Sequence, residues 1–144
     1  MDRPFSRVID RLKEAGLRPT RQRLALAKLL AEAGDCHLTA EQLHSQAQQT
    51  GIRVSLATVY NTLHQFTQAG LLKEIVVDAG RSYFDTNVSE HHHFFFADSN
   101  RLQDIEGRSV TISSLPEPPP GTAVQRVDVV IRIKDIIKDI PARD

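Results

Sequence analysis

A chain of 144 residues, 40% hydrophobic and 25% charged, has the balance of one ordinary globular domain or two small ones, and not that of a disordered or fibrous chain. Cys36 is the only cysteine, which excludes an internal disulfide and any zinc site built from paired thiolates within the chain. Net charge is zero, yet eight basic residues from Arg3 to Lys28 face only Asp10 and Glu14, whereas residues 81–144 carry eight basic and ten acidic groups.

A basic leading segment on a neutral remainder is the footprint of a one-faced phosphate binder. The charged start Met1-Asp2-Arg3-Pro4 lacks the apolar core of a signal peptide. No stretch approaches the roughly 20 apolar residues of a membrane span, so a cytoplasmic protein without a membrane partner is expected. Phe5, Val8, Ile9, Leu12 and Leu17 fall near helical spacing and predict a helix over residues 4–15, ended by Gly16. Thr20 is placed to cap a second helix through about residue 33, stopped by Gly34. Thr39-Ala40-Glu41-Gln42 matches a capping box and starts a third, through about residue 49. After a turn at Gly51, Ser55 is expected to cap a fourth helix over residues 56–69, with Leu56, Val59, Leu63 and Phe66 inward.

Beyond Gly70 the apolar period shortens to about two. Residues 72–78 and 82–85 read as strands joined by Ala79-Gly80-Arg81. Helix, turn, helix and then a small hairpin is the order of a winged helix-turn-helix, in which the fourth helix would enter a major groove. A second region starts near Val88. Residues 94–97 and 102–105 read as a hairpin across Asp98-Ser99-Asn100-Arg101, and residues 109–115 as a third strand. The stiff connector Pro116-Glu117-Pro118-Pro119-Pro120-Gly121 follows, then a last strand over residues 124–133. Ile136, Ile137 and Ile140 are expected to close a short terminal helix. So small a sheet is covered most simply by a second copy of itself, which predicts a two-fold homodimer.

The run His91-His92-His93-Phe94-Phe95-Phe96 holds half of the six histidines. Imidazole is the commonest metal ligand among side chains, and an apolar flank with one or two imidazoles also suits haem. On a strand, His91 and His93 share one side and His92 faces the other, so one ion cannot take all three without a bend. No carboxylate stands at the helical spacing of a metal hydrolase and no nucleophile motif is present, which disfavours an enzyme. A haem-binding carrier is the remaining reading from another class.

Several segments are very similar to proteins of the ferric uptake regulator (Fur) family. These are Ala15-Gly16-Leu17-Arg18-Pro19-Thr20-Arg21-Gln22-Arg23, His37-Leu38-Thr39-Ala40-Glu41-Gln42-Leu43, Ser55-Leu56-Ala57-Thr58-Val59-Tyr60 and Gly70-Leu71-Leu72, with the histidine run at its distance beyond. Asn61-Thr62-Leu63-His64-Gln65-Phe66 and Tyr83-Phe84-Asp85-Thr86-Asn87 look like the iron response regulator branch. The resemblance implies an α+β chain: a winged-helix DNA-binding domain over residues 1–84, a hinge over 85–90, and a small α/β or mostly β dimerisation and sensing domain over 91–144. It implies a regulator that binds double-stranded operator DNA as a homodimer and responds to iron or haem. A regulator answering to zinc, manganese or peroxide is the alternative.

By the same resemblance Tyr60 contacts bases and Arg18 reaches a groove or phosphate. The sequence adds Arg21 and Arg23 from the basic segment, Ser55 and Thr58 at a helix start as phosphate contacts, and Asn61, which replaces a frequent family arginine and can pair with adenine. His37 and Asp85 align with ligands of the family's regulatory metal site and would join His91, His92 or His93 in a nitrogen and oxygen set. Such a set accepts Fe(II), Mn(II) or Zn(II) without choosing among them. For haem, His91, His92 and His93 are the candidates. Three departures matter. Ala97-Asp98-Ser99-Asn100 stands where many relatives carry a Cys-x-x-Cys zinc site, Cys36 is followed by His37 and not proline, and Phe94 replaces a further histidine.

Overall fold

The computed structural model describes residues 4–34, 36–78 and 80–136. They form α1 (Pro4–Glu14), α2 (Arg21–Ala33), β1 (His37–Leu38), α3 (Ala40–Gln49), α4 (Leu56–Gln68), β2 (Lys73–Asp78), β3 (Arg81–Asp85), β4 (His91–Phe96), β5 (Arg101–Glu106) and β6 (Val130–Ile133). The chain divides into two compact units after Val88. The expected caps are made: Thr20 accepts from the Arg23 N–H at 3.2 Å and Ser55 from the Thr58 N–H at 3.1 Å. At α3 the exchange is reciprocal, with Thr39 Oγ1 accepting from Gln42 N–H and Gln42 Oε1 from Thr39 N–H. Each pair satisfies N–H groups that a helix start leaves without an internal partner.

The first unit is a winged helix. Leu12, Leu26, Leu43, Val59, Leu63 and Phe66 bring the apolar stripes of all four helices into one core, closed by Phe84 from the sheet. The β2–β3 hairpin is antiparallel, with Gly80 in the left-handed region (φ 79°) at its turn. β1 pairs antiparallel with the free side of β3 and completes a sheet in the order β1-β3-β2. This two-residue strand was not expected. It is too short for a periodic signal and exists because β3 offers it an edge.

The second unit carries a sheet in the order β5-β4-β6, antiparallel between β4 and β5 and parallel between β4 and β6. The chain is thus an α+β fold whose second part is mostly β among the described residues. β4 starts at His91, three residues earlier than expected, so the whole histidine run lies on a strand. Its turn is residues 97–100 and not 98–101, with Asn100 at φ 52°, a conformation asparagine tolerates. Residues 109–115 are not a strand: a short 3₁₀ turn over Gly107–Ser109 leads away from β5. Ile112 and Leu115 stay exposed, because the alternation there finds no ladder partner. The last strand is confined to Val130–Ile133, the part that reaches alongside β4. Of the expected terminal helix, Ile136 is 88% exposed, and Ile137 and Ile140 lie outside the described residues.

Candidate metal centre and DNA-reading face

In the second unit, alternation puts His91, His93 and Phe95 on the buried side of β4 and His92, Phe94 and Phe96 on the half-buried side. β5 brings Asp104 directly opposite His93. Asp104 Oδ1 lies 3.3 Å from His91 Nε2 and 3.2 Å from His93 Nε2, and the two rings are 4.6 Å apart. Opposite, His91 Nδ1 lies 2.6 Å from the Ser89 carbonyl oxygen. A carbonyl can only accept, so Nδ1 carries the proton. In the neutral ring Nε2 is then a lone pair aimed at a carboxylate oxygen, an arrangement that asks for a cation between them. A backbone carbonyl behind the far nitrogen is how metal-binding imidazoles are oriented. The donor set therefore fits a divalent ion.

His92 is arranged differently. Its Nδ1 accepts from the Val129 N–H at 3.1 Å, which leaves the proton on Nε2 in the neutral ring. Of the three histidines, the structure brings His91 and His93 together and turns His92 away. Asp104 went unread in the sequence because its place depends on the hairpin turn. A turn at 98–101 would have set Glu106, not Asp104, opposite His93.

In the first unit, His37 and Asp85 are register partners between β1 and β3, with His37 Nε2 3.2 Å from Asp85 Oδ2. Asp85, placed by the sequence in a hinge, ends β3 and is only 1% exposed. Its other oxygen accepts from the Asn87 N–H at 2.8 Å. Buried Lys73 is its register partner on β2, so a row of His37, Asp85 and Lys73 crosses the sheet. A buried carboxylate demands such cationic or hydrogen-bonding neighbours. Thr86 secures the loop before His37: its hydroxyl accepts from the Cys36 N–H and donates to the Gly34 carbonyl, both at 3.0 Å.

On the helical side of this unit, Arg18, Arg21, Ser55 and Asn61 are exposed. Ser55 Oγ also donates to Thr58 Oγ1 at 2.9 Å, so both hydroxyls cluster at the start of α4. Arg53, unnoticed in the sequence because it stands outside the basic segment, lines an open recess with Gln22, Ser55 and Thr58. Tyr60 is half-buried, and its hydroxyl donates to Glu41 Oε1 at 2.6 Å. That bond, and next Glu41's own backbone N–H, hold the Glu41 carboxyl below its usual range. The same bond pushes the Tyr60 phenol up.

Arg23 is engaged inward. Its Nε and Nη2 donate to Gln65 Oε1 on α4 at 3.1 and 3.0 Å, and Nη1 to the Arg18 carbonyl at 2.9 Å. It braces α2 against α4. Arg23→Ala is expected to lower unfolding stability by about 1–2 kcal/mol in urea melts. Lysine at this position should not restore it, since a single ammonium cannot reproduce the fork. A fully stable Arg23→Ala variant would refute the brace.

Among the described residues no helix is long and apolar enough to cross a membrane. A sequence profile described as the ferric uptake regulator family matches residues 14–115. The ferric uptake regulation protein of Shigella flexneri is 34% identical over 100 residues, covering 69% of this chain and 68% of that one. That of Legionella pneumophila is 35% identical over 97 residues, covering 67% and 71%. Among solved structures, the ferric uptake regulator of Pseudomonas aeruginosa with manganese aligns with a TM-score of 0.67 at 24% identity, covering 88% of this chain and 96% of that one. The Vibrio cholerae regulator aligns with a TM-score of 0.68 at 23% identity, covering 88% and 98%. These two likenesses concern the fold.

Proposed function

The chain belongs to the ferric uptake regulator family, and we propose that within it this protein is a cytoplasmic, iron-responsive regulator of the iron response regulator type that grips operator DNA as a homodimer. As a family member it is a metal-responsive regulator of transcription and not an enzyme. The observation that carries the metal-responsive reading is the convergence of His91 Nε2, His93 Nε2 and Asp104 Oδ1, with the His91 proton committed to Ser89; iron in particular rests on the likeness to the iron response regulator branch.

These three atoms lie within 4.8 Å of one another and would hold a divalent ion without sulfur, a set open to Fe(II), Mn(II) or Zn(II). Three donors leave a divalent ion short of its usual four to six. His37 and Asp85 are the natural additions, as an imidazole and a carboxylate already paired. A divalent ion held by these donors would supply a fixed positive charge there. The residues themselves do the rest: Asp104 faces both imidazoles across the β4–β5 pair, Ser89 orients one of them, and β1 holds His37 against β3.

On DNA, α4 is the reading helix. Tyr60 and Asn61 face bases, and Ser55, Thr58, Arg18, Arg21 and Arg53 face phosphates, while Arg23 stiffens the helix pair behind them. A second reading, haem at the histidine run, is favoured by one observation: His92, Phe94 and Phe96 share a half-buried side of β4. Ligation by His92 Nε2 would require the Val129 N–H to release Nδ1.

Duplex binding of the purified chain, followed by fluorescence anisotropy at two salt concentrations with Mn(II), with haem and with neither, tests both readings. Affinity is expected to fall steeply with salt, as phosphate contacts require, and to respond to Mn(II). Changing all three histidines of the run to alanine should remove that response. Salt-insensitive binding sinks the DNA reading. An unaltered Mn(II) response in the variant sinks the metal site, and a haem response lost with His92→Ala alone would favour the second reading.

A further inference from the structure

The Tyr60 hydroxyl does not stand open on α4. It donates to Glu41 at 2.6 Å, the length of a charge-assisted bond to a carboxylate. Glu41 lies in the first turn of α3, where the helix dipole favours a negative charge, and its carboxyl is held below the usual range, chiefly by this bond. The ring is fixed from behind as well. His64, one helical turn on, stacks with it at 6.4 Å and 19° between planes, and itself meets Phe84 edge-on at 5.7 Å. Glu74 of β2 lies 4.0 Å from His64. Ring and hydroxyl are therefore both set in direction before any DNA arrives.

A phenol has one proton to give and lone pairs to receive. With that proton committed, Tyr60 keeps only its acceptor side and its ring. Donating to a base or a phosphate would break that charge-assisted bond and cost the Glu41 carboxylate its principal hydrogen-bond donor. We propose that Glu41 sets the polarity with which Tyr60 reads DNA, making it an acceptor for an adenine or cytosine amino group and a ring for the thymine methyl. Guanine offers only acceptors, N7 and O6, to the major groove, so Tyr60 rejects it. The same exposed carboxylate repels phosphates of every sequence, which trades overall affinity for selectivity. The inference rests on the reading of α4 as the DNA-reading helix.

Selection from a randomised duplex pool by the full chain with Mn(II) tests it, using the wild type, Glu41→Ala, Tyr60→Phe, the double variant Glu41→Ala/Tyr60→Phe, and Asn61→Ala. Glu41 is exposed, so its replacement leaves the core intact, and thermal melts check this. Glu41→Ala is expected to bind all duplexes several-fold tighter, as loss of a charge facing phosphates implies. It should also admit guanine at one position per half-site, where the wild type discriminates about tenfold. On the Tyr60→Phe background, Glu41→Ala should leave the preference unmoved. A wild type that enriches sequences while Glu41→Ala keeps the same preference overturns the proposal, as does a change that persists without the Tyr60 hydroxyl. A wild type that enriches no sequence, or one whose preference and affinity survive both Tyr60→Phe and Asn61→Ala, overturns the α4 reading and the proposal with it.

Discussion

Asp104→Asn is expected to weaken Mn(II) binding by at least about 100-fold, more than the loss of a group that only orients a ligand. Asparagine keeps the shape of the side chain but removes the charge that faces His91 and His93 at 3.3 and 3.2 Å. The amide nitrogen cannot ligate, and the amide oxygen is a weaker donor than a carboxylate. The side chain is 41% exposed, so the β4–β5 hairpin should fold unchanged in the variant. Calorimetric titration of the full chain with Mn(II), beside circular dichroism of the metal-free protein, separates the two effects. An affinity within a few-fold of wild type would show that Asp104 is a surface carboxylate near two structural histidines.

Phe66→Ala is expected to cost about 3–5 kcal/mol of folding stability in the first unit, the usual penalty for emptying a fully buried aromatic site. Phe66 is 2% exposed and packs in the core shared by the helices and Phe84. It also walls a recess lined by Val8, Leu12, Leu30 and Leu72. A void opened there joins existing space instead of collapsing, so little of the lost contact is recovered. Urea unfolding should show the midpoint falling while the steepness of the transition stays constant. A loss below about 1 kcal/mol would mean that neighbouring side chains refill the site. Duplex binding should weaken in parallel at temperatures where the variant is partly unfolded, since α4 carries both Phe66 and Tyr60.

Asp104 and Phe66 lie in different layers of the molecule, and those layers differ in how far the sequence reveals them. Thr20, Thr39 and Ser55 announced their helices because a cap acts within three residues. The same is true of the split in the histidine run. Successive side chains on a strand point to opposite faces whatever surrounds them, so once β4 extends back to His91 the pairing of His91 with His93 and the separation of His92 follow from alternation alone. The inward stripe of α4 was equally plain, since Val59, Leu63 and Phe66 recur at helical spacing.

Partnerships between distant segments were not plain. Residues 109–115 alternate as a strand would, yet they find no edge and stay irregular. Val130–Ile133 becomes a strand because β4 lies open beside it. His37–Leu38 does so because β3 does. The resemblance gives Tyr60 as a base contact and says nothing of its hydroxyl, whereas the packing of α3 on α4 brings Glu41 to that hydroxyl across nineteen positions of chain. Arg23 belonged by composition to a phosphate-binding segment, and Gln65 claims its guanidinium. The sequence by itself determined the helices, their caps, the winged-helix order and the two faces of the histidine run, because each is a matter of local geometry or period. Tertiary structure decided that Asp104 and not Glu106 meets those histidines, that Asp85 sits against His37, and that Glu41 holds Tyr60. Register and helix packing are set by which edges and faces the folded chain leaves available, and no residue carries that information alone.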